Sequence, residues 1–260
     1  GAGAVYVYQD QSGTWIESGR LEITDRSPAD SLGTGLAINN DWIMVGTVAQ
    51  NGRTGAAYAF RRKGESWVQH SKIRPDDIDE GDTFGARIAL QGTQMLISAP
   101  FGSDGEGRVY SFAYSEDSDT WEERGQLQAP GLSDETMFGT DIAIENSVSL
   151  VGAPGYFGGT GAGTGAVFVY GLAGDTWQLA SLLSPYESTG AIQFGGSIAF
   201  DGNTALIGAF RAAQGQGRIF SYTFNRETFE WTAASKISSA ETGRAYFGRT
   251  VDFSGDIAVG

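Results

Sequence analysis

Along this chain apolar and polar residues alternate with a period of two, in short runs broken by turns rich in Gly, Asn and Asp. Such alternation predicts β-strands. One run recurs. Phe84-Gly85 to Ala99-Pro100 returns as Phe138-Gly139 to Ala153-Pro154 and as Phe194-Gly195 to Ala209-Phe210. A worn copy spans Leu32-Gly33 to Gly46, and a shorter one Phe247-Gly248 to Gly260. The five starting points lie 52, 54, 56 and 53 residues apart, which defines a repeat protein.

Each repeat divides into four predicted strands, A to D. A begins at Phe-Gly and B ends at Gly-Ala-Pro. C carries a small/large alternation with an aromatic pair, as in Gly165-Ala166-Val167-Phe168-Val169-Tyr170, and D carries a tryptophan (Trp15, Trp67, Trp121, Trp177, Trp231). Three-residue A–B connections such as Asp201-Gly202-Asn203 are hairpin signals. Strand A is apolar on both faces, with Ile88, Ile142 and Ile198 on one side and Ala89, Ala143 and Ala199 on the other. A sheet of that kind must be covered twice. Stacking similar sheets around an axis does so, and the predicted fold is an all-β propeller of four-stranded antiparallel blades.

The expected blades are approximately 32–83, 84–137, 138–193, 194–246, and a fifth assembled from 247–260 plus 1–31 within a single domain, 1–260. In that arrangement the N- and C-terminal strands share one blade and close a five-bladed ring without exposed edges. The alternative is a fragment of a seven-bladed ring.

Composition narrows the function. Thirty-nine glycines, 6 prolines and 31 aromatics suit short strands and tight turns. The net charge of −14 argues against nucleic acid as a partner, because such binding needs clustered Lys and Arg. No run approaches the ~18 apolar residues of a membrane span, so membrane insertion is not expected. With no cysteine, disulfides and thiolate metal sites are excluded.

The Phe-Gly…Gly-Ala-Pro pattern resembles the FG-GAP repeat family, best known from the N-terminal propeller of integrin α subunits. Gly81-Asp82-Thr83-Phe84-Gly85, Asp201 to Ala209 and the Trp strand resemble its bacterial branch. The resemblance implies a secreted or cell-surface domain, not an enzyme, that binds glycan or extracellular protein in adhesion. A carbohydrate-active enzyme with carboxylates in the axial channel, and a structural repeat of a surface assembly, are the alternatives. Integrin-type repeats often carry an Asp-x-Asp-x-Asp-Gly calcium loop between A and B. Here those turns are too short and too poor in carboxylates, so no cofactor is expected and calcium is not expected there.

Candidate ligand residues sit in the B–C and D–A loops, which emerge on one end of the ring: Phe101, Asp104, Tyr156, Phe157, Tyr186 and Phe210. Asp76, Asp77, Asp79 and Asp82 form the one alternative cation cluster, although they lack EF-hand spacing. Phe84, Phe138, Phe194, Phe247 and the five Trp residues are expected to be structural, with the Trp side chains wedged between blades. The glycine-rich stretch 152–165 precedes a strand, not a helix, and reads as a long loop rather than a phosphate cradle. Trp42 lies off the repeat register, and His70 reads as a surface residue. Asp141 and Asp252 fall on strand A near the axis. Arg87 occupies the position of Asp141 in the adjacent repeat, which points to an ion pair lining the channel. Asp252 replaces an alanine on the small face, so it is expected to bond an Arg or backbone amides.

Overall fold

The computed structural model describes residues 3–260 other than 26, 28, 29, 159–162, 187–191 and 242. The chain begins with a hairpin, β1 (Val5–Gln11) and β2 (Thr14–Leu21). Four antiparallel sheets follow. The first comprises β3 (Leu32–Ile38), β4 (Trp42–Thr47), β5 (Ala56–Lys63) and β6 (Ser66–Ile73). The second holds β7 (Ile88–Gln91), β8 (Gln94–Ala99), β9 (Arg108–Ser115) and β10 (Thr120–Gln126). The third holds β11 (Ile142–Glu145), β12 (Val148–Ala153), β13 (Ala166–Ala173) and β14 (Thr176–Leu183). The fourth holds β15 (Ser197–Phe200), β16 (Thr204–Ala209), β17 (Arg218–Asn225) and β18 (Glu230–Ser238). A closing hairpin, β19 (Asp252–Ser254) and β20 (Ile257–Val259), ends the chain.

Strands of each sheet pair in sequence order, and the A strands β3, β7, β11, β15 and β19 neighbour one another, which places them at the axis. The repeated hairpin register (Ile88 opposite Ile97, Ile142 opposite Val151, Ile198 opposite Ile207) turns the same residues inward in each blade. Between C and D the register shifts in every blade, for example between Val169 and Tyr170. Such a bulge increases the local twist.

The cores lie between sheets. Ala57 and Ala59 of the first blade pack with Ile88, Met95, Ile97 and Phe112 of the second. Ala89, Leu96 and Val109 of the second pack with Phe138, Ile142 and Phe168 of the third. Val148, Leu150 and Val167 of the third meet Ile198, Ile207 and Phe220 of the fourth. In each case the smaller face of one sheet receives the larger face of the next, and this stacking makes the array a propeller.

The Phe-Gly motif marks the hand-over between blades. Gly55 bridges to Phe84, Gly165 to Phe194 and Gly217 to Phe247 in parallel register. Gly3 bridges to Leu32 in the same way, so β1 and β2 take the C and D positions of a blade preceding the first. Phe84, Phe138 and Phe194 are almost fully buried at these joints, and Phe247 partly.

The expected closure is not seen among the hydrogen-bonded sheets. β1–β2 and β19–β20 are separate two-stranded sheets, and β1 does not lie beside β20. Their outer residues stay exposed, with Ile257 at 70% and Val259 at 62%. Sharing one blade would require the two strands to approach within about 4.8 Å. Trp15 is not wedged between blades but is 71% exposed, whereas Trp121 and Trp177 are buried and Trp67 and Trp231 half-buried.

Candidate functional site

The D–A loops are held by a strand C tyrosine, the first of the aromatic pair in the first two blades and the second in the next two. The Tyr58 hydroxyl donates to Asp25 Oδ1 at 2.6 Å and that of Tyr110 to Asp77 Oδ1 at 3.1 Å. Tyr170 donates to the Gln128 carbonyl at 3.1 Å and Tyr222 to the Ser184 carbonyl at 2.7 Å. Burial raises all four phenols above their ordinary pKa, Tyr110 to about 12, so they remain protonated donors. The sequence shows these tyrosines only as members of the strand C aromatic pair. Their hydrogen-bond partners, two carboxylates and two carbonyls, have no signal in the sequence.

The B–C loops carry single helical turns at Gln50–Arg53, Gly102–Gly105 and Ala212–Gly215. Each contains two residues in left-handed conformation, Ser103 and Asp104 in the second. These turns meet the D–A loops on one end of the array and leave crevices there. The first, of about 480 Å³, gathers Phe101, Asp104, Glu135, Met137, Pro154 and Phe157. Three sequence candidates, Phe101, Asp104 and Phe157, thus come together from two B–C loops. The guanidinium of Arg53 lies 5.9 Å from the Phe101 ring.

A second crevice, of about 610 Å³, is lined by Phe210, Arg211, Gln214, Arg244, Tyr246 and Arg249. The guanidinium carbons of Arg211 and Arg249 stand 5.9 and 5.8 Å from the Phe210 ring, and the Tyr246 ring is 6.2 Å from it. Phe210 was the only one of these residues picked out from sequence.

Tyr156 and Tyr186 line neither crevice. Tyr156 turns inward from its loop, its ring 5.2 Å from Phe168 and packed against the third blade's core. Tyr186 packs 5.2 Å from Phe220 and 6.0 Å from Tyr222 while remaining 43% exposed.

The acidic run binds the protein itself. Asp77 accepts from Tyr110 and from Gln126 Nε2 at 2.7 Å. Asp82 is buried, accepts from the Asp79 amide at 3.0 Å and lies 3.7 Å from Arg108. Among the described residues no three acidic or histidine side chains gather as a metal site. His70 is not a simple surface residue. Its ring is 5.0 Å edge-on from the buried Trp42, and its Nε2 lies 3.3 Å from Asp119, which also receives Arg61 at 2.8 Å. Hydrogen bonds from Tyr114 and His70 hold the Asp119 carboxyl below the usual range.

At the axis, Asp141 Oδ1 is 3.5 Å from Arg87 Nε, and Oδ2 accepts from the Ile198 amide of the next blade at 2.7 Å. Desolvation raises the Asp141 pKa, against the pull of the Ile198 amide and Arg87. Such a carboxyl binds more protons folded than unfolded, so its charge weakens the fold above the folded pKa. That penalty fades as pH falls towards the ordinary carboxylate value of about 4. The stability difference between Asp141→Asn and wild type is therefore expected to change between pH 4.5 and 7, with the variant gaining relative to wild type at the higher pH. Urea titrations at both values check this; a pH-independent difference would mean that the carboxyl is not desolvated. Asp252 is exposed rather than wedged between blades, and it accepts from the Phe253 amide at 2.8 Å.

The FG-GAP repeat profile matches residues 67–112, from the Trp strand of the first blade through strand C of the second. No curated protein sequence matches the chain. Among solved structures, a Lactobacillus plantarum protein shares 15% identity at a TM-score of 0.59 over 89% of this chain and 62% of its own. A proposed 6-phosphogluconolactonase of Bacteroides fragilis shares 12% identity at a TM-score of 0.58 over 90% of this chain and 65% of its own. The chain thus spans less than two thirds of the length of either neighbour. At these identities the likeness establishes the fold alone. It nonetheless corrects the expectation that the protein is not an enzyme, because the same architecture occurs in a proposed lactonase. The chain is an all-β propeller array of four-stranded antiparallel blades that carries an FG-GAP repeat at residues 67–112, a repeat that points to a β-propeller binding module.

Proposed function

We propose that the protein is a secreted or surface-exposed recognition module that binds glycan or extracellular protein through the end of the array formed by its B–C and D–A loops. One observation carries this reading. Two successive B–C loops and the D–A loop between them build one concave, largely apolar crevice, with Phe101 47% and Phe157 40% exposed and with Asp104 and Glu135 at its edge. Ligand sites combine apolar walls with a few placed polar groups in this way. Among the described residues no helix is long and apolar enough to cross a membrane, in keeping with this reading.

The test is ligand binding by the double variant Phe101→Ala/Phe157→Ala, scored on a glycan array and on immobilised extracellular matrix proteins. Both side chains are partly exposed, so the fold should survive, as near-UV circular dichroism would verify. Loss of the wild-type ligand supports the reading. Unchanged binding would place the ligand elsewhere.

A further inference from the structure

The crevice around Phe210 differs in chemistry from the one around Phe101. Three arginines line it, and among the described residues their recorded side-chain contacts are those of Arg211 and Arg249 with the Phe210 ring. The protein has 17 Lys and Arg against 31 Asp and Glu, yet among the described residues this lining contains no acid. Gathering three cations without a counter-charge is unfavourable for the empty protein and favourable once an anion enters.

The repeat shows that the architecture does not need these arginines. Counted from the Phe of the Phe-Gly motif, Arg244, Tyr246 and Arg249 stand where the third blade has Glu135, Met137 and Thr140. Counted from the glycine that opens strand C, Arg211 stands where the second blade has Phe101 and the first has Ala49. Neutral or acidic residues thus serve the same backbone. Met137 and Tyr246 even share the left-handed conformation, with φ of 53° and 54°.

The aromatic rings add the second half of the argument. Phe210 holds Arg211 and Arg249 against one ring, which orders the planar guanidinium groups and leaves their N–H edges free for a bidentate oxyanion. Tyr246, 42% exposed, offers a face on which the apolar side of a sugar ring can stack. The volume of about 610 Å³ is that of an ordinary small-ligand site.

We propose that this crevice binds an acidic saccharide, a sugar ring bearing a carboxylate or sulfate that pairs with Arg211, Arg244 and Arg249 while the ring lies on Tyr246 and Phe210. The proposal rests on the loop-end reading above but concerns a separate site.

Calorimetric titration of the protein with tetragalacturonate, with a sulfated galactan tetrasaccharide and with neutral galactotetraose tests it, and the first two identify the source of the oxyanion. At least one acidic probe is expected to bind tenfold or more tighter than the neutral one, with affinity falling as salt rises. Arg244→Gln and Arg249→Gln, both at exposed residues, should each weaken it about tenfold without changing the melting temperature, as expected for loss of a hydrogen bond to a charged group. The Phe101→Ala/Phe157→Ala protein should bind the acidic probe as wild type does. Equal affinity for neutral and acidic probes, or unchanged affinity in both arginine variants, would overturn the proposal. So would polyglutamate that binds as tightly and displaces the saccharide, since the ligand would then be an acidic peptide. Loss of ligands through Phe101 and Phe157 with no effect of the arginines would defeat this inference and leave the recognition module standing.

Discussion

Gly107→Ala is expected to destabilise the protein by about 3 kcal/mol or more, although it adds a single methyl group. Gly107 opens strand C of the second blade at a φ of 89°, a conformation that alanine adopts only under strain. An added Cβ would also overlap the backbone carbonyl of Phe138 in the next blade. Backbone cannot yield as a flexible side chain can, so both effects act together. Gly55, Gly165 and Gly217 meet Phe84, Phe194 and Phe247 in the same way, which identifies this glycine as the contact that sets blade spacing. Gly19→Ala is the control, since that residue has ordinary φ and open space around its Cα. Urea unfolding should show a large loss for Gly107→Ala and a change within about 0.5 kcal/mol for Gly19→Ala. Equal effects would refute the spacing argument.

Phe138→Ala is the second large expectation, at about 3–5 kcal/mol. The ring is 1% exposed and sits edge-on to Phe168 at 5.4 Å, at the joint between the second and third blades. Phe247 occupies the same repeat position at the joint with the closing hairpin, where it is only partly covered. A repeat array distributes its stability over nearest-neighbour interfaces, so the same deletion should matter less where the neighbour is half a blade. Phe247→Ala is expected to cost less than half as much in the same urea titration. Equal losses would mean that the closing hairpin is as firmly docked as a whole blade.

The strands and their stacking were legible because spacing carries them. Alternation places Ile88 and Ala89 on opposite faces, and each face must find a cover of matching size. The Phe-Gly motif was legible as punctuation, although its physical reason, backbone against backbone at Gly107 and Phe138, needed coordinates. Whether the ring closes was not legible in the sequence. Strand counting shows that β1–β2 and β19–β20 are complementary half-blades, but whether they meet depends on the angle between successive sheets. That angle is set by side-chain volumes and by the C–D bulges, and neither leaves a period in the sequence.

Part of the site was legible for a related reason. Phe101 and Phe157 stand out as large apolar residues in loops, and both reach the first crevice. Tyr156, adjacent to Phe157, looked the same in sequence but points into the core. Arg211, Arg244 and Arg249 are scattered over nearly forty residues and meet only because the last D–A loop crosses the fourth B–C turn. Aligning the repeats could have found them, as positions where neutral or acidic residues elsewhere give way to arginine.

Recognition through one end of the array is the central claim, and amide hydrogen exchange on the protein saturated with its array-identified ligand tests it most directly. Protection is predicted at residues 100–106, 154–158, 209–216 and 243–249, with the A–B turns at 91–93, 145–147 and 201–203 unchanged. Protection centred on those A–B turns, at the opposite end of the blades, would contradict the account.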